Sequence, residues 1–187
     1  MNIKMDKVMK KNGILGLSIM ALLLVSSCGE ANKKSDAEKE ETKVETSTAP
    51  KKDLAQATFK NENTNILFEG YLQIKKALVQ SDPDTVQMEA KKLWRSMENT
   101  NNDLKTIAKD LMNADELDIQ RQLFSDFTAA IEVVLKEDMA NGTIYKQFCP
   151  MAFNNKGGYW FSEVSEIRNP YYGDMMLTCG AVKETIQ

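Results

Sequence analysis

The spacing of apolar residues changes at about Asn63, where they begin to recur every three or four positions, as on the buried face of a helix. Two helices are predicted from this stretch. The first ends near Gln80. The second follows Asp82, whose side chain can cap a helix, and it has Pro83 in its first turn, where a missing N–H is tolerated.

Two more helices are predicted before the pattern changes again. A shorter one covers about residues 104–111, and the longest begins near Leu117 and is closed by Asn141-Gly142 as a left-handed C-cap. Short connections make neighbouring helices antiparallel, so we expect a mainly α fold built on an antiparallel four-helix bundle. Four methionines in the helical pattern are interpreted as core or surface filler: Met88, Met97, Met112 and Met139.

The chain after Gly142 is rich in aromatic residues and loses the helical spacing. Asn155-Lys156-Gly157-Gly158 separates two short apolar runs, as a hairpin turn does. We therefore expect a C-terminal lobe that is irregular or a β-hairpin and that packs against the helices. Tyr159, Trp160 and Phe161 are compatible with packing or with an aromatic platform for sugar or peptidoglycan, and packing is the preferred interpretation.

The N-terminal residues have the layout of a secretory signal. Lysines precede an apolar stretch, residues 14–25, that is too short to span a bilayer, and Ser26-Ser27-Cys28 follows it. Small residues before a cysteine resemble the bacterial lipobox. Residues 1–27 are thus predicted to be a lipoprotein signal peptide, with Cys28 acylated as the first mature residue; the alternative is an ordinary signal-peptidase cut beside a cysteine.

Residues 28–55 are rich in Lys, Glu, Ser, Thr and Ala and nearly lack large apolar side chains. Such a segment cannot bury enough surface to offset its ordering entropy, so it is predicted to be a disordered tether. Residues 56–187 then form the domain with the Cys/Met lobe. Acyl chains on Cys28 would anchor the protein to a membrane of the cell envelope, for which we expect the outer membrane, with the domain facing the periplasm.

Composition excludes several classes of function. The chain has no histidine, which removes triads built on His, His-ligated zinc and imidazole general bases. Its net charge is -3, and no basic stripe with interleaved aromatics indicates a nucleic-acid partner. Carboxylates fall on polar helix faces with no Gly-rich loop or nucleophile setting, so neither an enzyme nor a small-molecule substrate is predicted.

The remaining candidate chemistry is sulfur chemistry in the C-terminal lobe. Thiolates and thioethers select Cu(I) and similar soft ions. In a secreted protein, a pair of thiols is equally a candidate disulfide, here between Cys149 and Cys179. Inert buried thiols are a third possibility. The candidate soft-metal ligands are Cys149, Met151, Met175, Met176 and Cys179.

The C-terminal motifs resemble a domain of unknown function found in Gram-negative lipoproteins and appended to periplasmic adaptor subunits of copper and silver efflux pumps. These motifs are Cys149-Pro150-Met151-Ala152, Gly158-Tyr159-Trp160-Phe161-Ser162, Ile167-Arg168-Asn169-Pro170-Tyr171-Tyr172-Gly173 and Met175-Met176-Leu177-Thr178-Cys179-Gly180. Weaker similarity extends over the helices from about Phe59. The resemblance implies a helical domain that is associated with heavy-metal handling and has efflux components as partners.

Some relatives carry a histidine near the first cysteine, where this chain has Gln147 and Phe148. A metal site here would therefore rely on sulfur and oxygen donors. The leading interpretation is a lipid-anchored, periplasm-facing domain that binds or senses Cu(I) or Ag(I). The alternative is a protein-interaction module without metal, in which a Cys149–Cys179 disulfide staples the lobe.

Overall fold

The computed structural model describes residues 56–97 and 102–187. All of these residues belong to one compact unit. The predicted signal peptide, the lipidation of Cys28 and the tether lie outside the described residues. Within the described ranges, none of the helices combines the length and the apolar character needed to cross a bilayer.

Four long helices follow one another, and their bounds are α1 Glu62–Val79, α2 Pro83–Ser96, α3 Asn102–Asn113 and α4 Leu117–Asp138. The signals at the start of α2 act as predicted, because the Asp82 carboxylate accepts a hydrogen bond from the Thr85 N–H at 3.0 Å and Pro83 occupies the first turn. α1 ends one residue before the predicted Gln80. Each helix buries one apolar stripe against its neighbours.

Two small antiparallel sheets complete the fold. Their strands are β1 Thr58–Phe59, β2 Met139–Asn141, β3 Ile144–Cys149, β4 Gly158–Ser162 and β5 Ala181–Ile186. β1 pairs with β2, and the second sheet has the order β4-β3-β5. The predicted hairpin is present as β3 and β4, with Cys149 opposite Gly158. Its connection is longer than a tight turn, and Phe153, Asn154 and Asn155 all have positive φ there.

The predicted end of the longest helix is wrong. α4 stops at Asp138, and Met139, which was assigned to the helical pattern, lies in β2 opposite Phe59. Gly142 does have a positive φ of 91°, but it turns the chain between β2 and β3 and does not cap a helix. The reason is tertiary: β1 supplies backbone partners to residues that would otherwise continue a helix.

Tyr71 connects the helices to the C-terminal sheet. Its ring is fully buried and stacks on Phe124 of α4, with ring centroids 4.8 Å apart. Its hydroxyl lies 2.8 Å from the Thr128 hydroxyl and accepts a hydrogen bond from the Phe161 N–H of β4 at 3.0 Å. Burial raises the pKa of this phenol well above its usual value, so Tyr71 is a neutral structural link.

The prediction of a mainly α protein with a small β lobe is confirmed. Contacts run from α1 to α2, from α2 to α3 and from α3 to α4, and α1 also contacts α4. The finer prediction, an antiparallel four-helix bundle, stays a prediction. The residues 98–101 that connect α2 to α3 are outside the described ranges.

Candidate functional site

The C-terminal lobe brings Cys149 and Cys179 into direct contact. Cys149 is the last residue of β3 and is completely buried, whereas Cys179 lies just before β5 and is partly exposed. Their sulfur atoms are 3.3 Å apart, and both are free thiols. A disulfide requires about 2.05 Å, so the two side chains are adjacent but not bonded at this distance.

The acidity of the Cys179 thiol depends on its neighbour. The hydrogen bond with Cys149 raises the pKa of Cys179 above its usual value, and burial and the charge of Cys149 act in the same direction. Cys179 is therefore protonated at neutral pH, and the nucleophilic and metal-binding thiolate is the minor form. Any ion or oxidant that reacts with this pair must displace protons.

Cys149 is positioned by the sheet and by a buried amide next to it. Gln147 points to the same face of β3 as Cys149 and is completely buried. Its Oε1 accepts a hydrogen bond from Trp160 Nε1 on β4 at 2.6 Å. Its Nε2 donates to three successive carbonyls, those of Val164, Ser165 and Glu166, at 3.0–3.2 Å. Gln147 thus ties β3 to the loop that leads towards Cys179.

Cys179 is positioned by Asn169, which is also completely buried. The Asn169 Nδ2 donates to the Cys179 carbonyl at 3.0 Å, its Oδ1 accepts from the Tyr171 N–H at 2.8 Å, and its own N–H donates to the Leu177 carbonyl at 2.8 Å. The side chain and backbone of one residue therefore hold this loop and fix the backbone at the second thiol.

Gly180 allows the close approach of this backbone to β3. Its φ is 146°, which other residues rarely adopt, and a Cβ there would lie 2.9 Å from both the Phe148 carbonyl oxygen and the Trp160 ring. A side chain at this position would push Cys179 away from Cys149. The position of Cys179 beside Cys149 therefore requires glycine at residue 180.

The three candidate thioether ligands lie on the segments that flank the thiols. Met151 follows Pro150 after β3 and is 44% exposed. Met175 and Met176 lie in a 3₁₀ turn, Gly173–Met176; Met175 is 76% exposed and Met176 is partly buried. The sulfur contact that the structure shows in this lobe is the one between the two cysteines. In that same part, no three side chains among His, Cys, Asp and Glu converge on one point.

The aromatic residues of β4 pack in the protein interior. Trp160 and Phe161 are completely buried, and Tyr159 alone is exposed, at 42%. Tyr159 contacts Phe148 across the strands, with ring centroids 4.5 Å apart. The packing interpretation is therefore confirmed for Trp160 and Phe161, and these two rings are not available as a sugar platform.

Two positioning residues of this site were not predicted as such. Asn169 stands out in the sequence only as part of a motif and Gln147 only as the residue near which some relatives have a histidine, because a single polar residue has no periodicity to show that it is buried. The signal that could have found them is a general one: a loop without regular hydrogen bonding needs side-chain amides to satisfy its backbone groups.

One family matches part of the chain. It is described as "Protein of unknown function (DUF3347)", and the match covers residues 67–142. The predicted resemblance to a domain of unknown function is confirmed over this range, which contains most of the helical region and ends before β3 and both cysteines. No curated protein and no solved structure matches.

Proposed function

We propose that the protein binds or senses a soft metal ion, Cu(I) or Ag(I), through Cys149 and Cys179, as part of heavy-metal efflux or homeostasis. In this proposal the domain stands on a lipid anchor at Cys28 and faces the periplasm. The observation that carries it is the contact of the two sulfurs at 3.3 Å in a lobe held by buried amides. Two preorganised thiols need little rearrangement to hold one soft ion.

The neighbouring methionines support the same chemistry. Met151, Met175 and Met176 lie within a few residues of the thiols along the chain, and two of them are exposed enough to reorient at little cost. Thioethers are neutral soft donors that bind Cu(I) and Ag(I) without releasing a proton. The thiols would supply the charge of the site, and one or more thioethers would complete it.

Affinity should depend on pH, since metal ligands must be deprotonated. The pKa of Cys179 is raised, so at neutral pH an ion must displace its proton. Affinity therefore increases as pH rises towards that pKa and decreases in acid. A site made of thioethers alone would show no such dependence.

The test is a titration of Cu(I) against a chromophoric chelator under reducing conditions. All variants carry Cys28→Ser, which removes the third thiol of the chain as a competing ligand. Cys149→Ser and Cys179→Ser should each weaken binding by more than about tenfold, or about 1.4 kcal/mol. Met88→Leu is the control, because Met88 lies on α2 and is 49% exposed, away from the lobe.

Equal affinity in the parent chain, both cysteine variants and the Met88 control would refute the thiol site. An affinity that is the same at pH 6 and pH 8 would refute the role of proton displacement, even if the protein bound the ion.

The second candidate function is an interaction module stapled by a disulfide. The same 3.3 Å contact favours it, because a small movement would bring the sulfurs to bonding distance. Oxidation would remove two protons and two electrons, accepted by a periplasmic disulfide donor, and would form one S–S bond. Closing a loop of about thirty residues would stabilise the fold by about 3–4 kcal/mol in the chain-entropy model.

A further inference from the structure

A cleft with a volume of about 620 Å³ lies between α1, the segment before α1 and the loop after β4. This volume is within the range of sites for small organic ligands. Apolar side chains form part of its wall: Ala57, Phe68, Leu72 and Val79. Charged side chains from α1 and from the loop form the rest.

Lys75 is the distinctive residue of this cleft. It lies on α1 four residues after the buried Tyr71, and its side chain is mostly covered by protein. Its ammonium group donates to the buried hydroxyl of Ser162, at 3.0 Å, which is a neutral acceptor. Burial lowers the pKa of Lys75 to about 8, and the charge of Glu163 offsets this only in part. A cation in this position is poorly compensated.

The other charged groups of the cleft determine what anion fits. Glu69 and Lys76 come from α1, and Glu163 and Arg168 come from the loop. Arg168 is already engaged with Glu166 at 2.8 Å, in an exposed pair of small energetic value. Because Glu166 neutralises Arg168, the lining is left with two lysines and two carboxylates. Lys75 has a neutral hydrogen-bond acceptor, so a single carboxylate would complement it, whereas a phosphate dianion would meet stronger repulsion from Glu69 and Glu163.

We infer that this cleft is a binding site for an apolar molecule that ends in a single carboxylate, with Lys75 as the residue that binds the carboxylate. The apolar part would lie against Phe68 and Leu72. Such a ligand is an aliphatic acid or a peptide with an apolar C-terminus, since both present the same chemistry. The site shares no residue with the thiol pair, so it stands or falls independently of the proposed metal function.

The experiment uses the full chain with Cys28→Ser, so that no acyl chain of its own can compete. Two probes, octanoate and acetyl-Leu-Leu, are titrated by calorimetry and by NMR shift mapping at pH 7. Their uncharged counterparts, octanol and the dipeptide amide, are the ligand controls. We expect at least one acid to bind with shifts at α1 and the 163–168 loop, and its neutral counterpart to bind at least about tenfold more weakly.

The matched variants change one lysine at a time. Lys75→Met should weaken binding at least about tenfold, and Lys75→Arg should restore part of it. Lys91→Met is the control, because Lys91 is an exposed lysine on α2. In the parent chain, binding should weaken about tenfold between pH 7 and pH 9, because Lys75 loses its proton in that window while the ligand stays ionised.

Two of these tests use the parent chain alone, so they do not depend on whether a variant folds. They are the comparison of each acid with its neutral counterpart and the pH dependence of binding. The inference is overturned if neither acid binds at millimolar concentration, if the shifts map elsewhere, or if acid and neutral probe bind equally. Tighter binding of inorganic phosphate than of either acid would also overturn it, because the lining would then select charge rather than a carboxylate with an apolar tail.

Discussion

The helical region and the C-terminal lobe are specified by different interactions. The helices α1 to α4 are held by apolar stripes whose members recur at helical spacing, and their core centres on fully buried rings such as Phe124 and Phe127. The lobe after Gly142 depends on a few buried polar side chains. The side chains of Gln147 and Asn169 together bond to backbone carbonyl and amide groups of five other residues of the lobe, besides the Trp160 indole.

This difference bears on why the two thiols, Cys149 and Cys179, lie in the lobe. A helix core tolerates substitutions of similar volume, because burial is not directional. A hydrogen-bonded loop has one arrangement, so it can hold two thiols at a fixed separation. The lobe is therefore the part whose geometry depends most on directional hydrogen bonds. We expect single polar substitutions to disturb the lobe more than the helices.

The largest effect should come from the helical core. Phe127→Ala removes a fully buried ring that packs against Tyr71, with centroids 5.8 Å apart, and leaves a cavity. Urea unfolding should show a loss of about 3–5 kcal/mol in the free energy of unfolding. Val133→Ala on the same helix is the control, because Val133 is 59% exposed and should change stability by less than about 0.5 kcal/mol. Similar losses in both variants would mean that α4 is not packed as described.

A smaller but more specific effect is expected from Asn169→Ala. The change leaves the Tyr171 N–H and the Cys179 carbonyl without their side-chain partner, at a cost of about 2–3 kcal/mol. It should also slow oxidative cross-linking of Cys149 to Cys179, because Cys179 is no longer held. The control is Asn113→Ala, which removes an exposed bond to the Lys109 carbonyl. Unchanged cross-linking in the Asn169 variant would show that the loop is fixed by other contacts.

The sequence allowed the helices to be predicted because apolar spacing marks their buried faces and, at α2, a local signal marks the start. Asp82 and Pro83 mark the start of α2, and the observed cap is the predicted one. The end of α4 could not be predicted in this way. Asn141-Gly142 has the composition of a helix stop, but pairing with the distant β1 ends the helix three residues earlier.

The sequence predicted that Cys149 and Cys179 share one site, as metal ligands or as a disulfide. The structure places their sulfurs 3.3 Å apart, and both roles stay predictions. The exposure of Met151, Met175 and Met176 was not predictable from proximity in sequence, because side-chain exposure in a loop depends on tertiary packing. Lys75 was missed for a related reason: one lysine beside an apolar stripe usually extends to solvent, and only the loop after β4 makes it a largely covered cation.

The most direct test of the thiol pair is a set of thermal melts of the full chain with Cys28→Ser in three forms: oxidised, reduced and loaded with Ag(I). If the thiols are free in the protein purified without added oxidant, which here serves as the oxidised form, reduction alone should change its stability little, and saturating Ag(I) should stabilise the reduced protein by about 2.7 kcal/mol at a hundredfold excess over Kd. A large loss of stability on reduction, with no recovery when Ag(I) is added, would contradict the metal site and identify Cys149 and Cys179 as a structural disulfide.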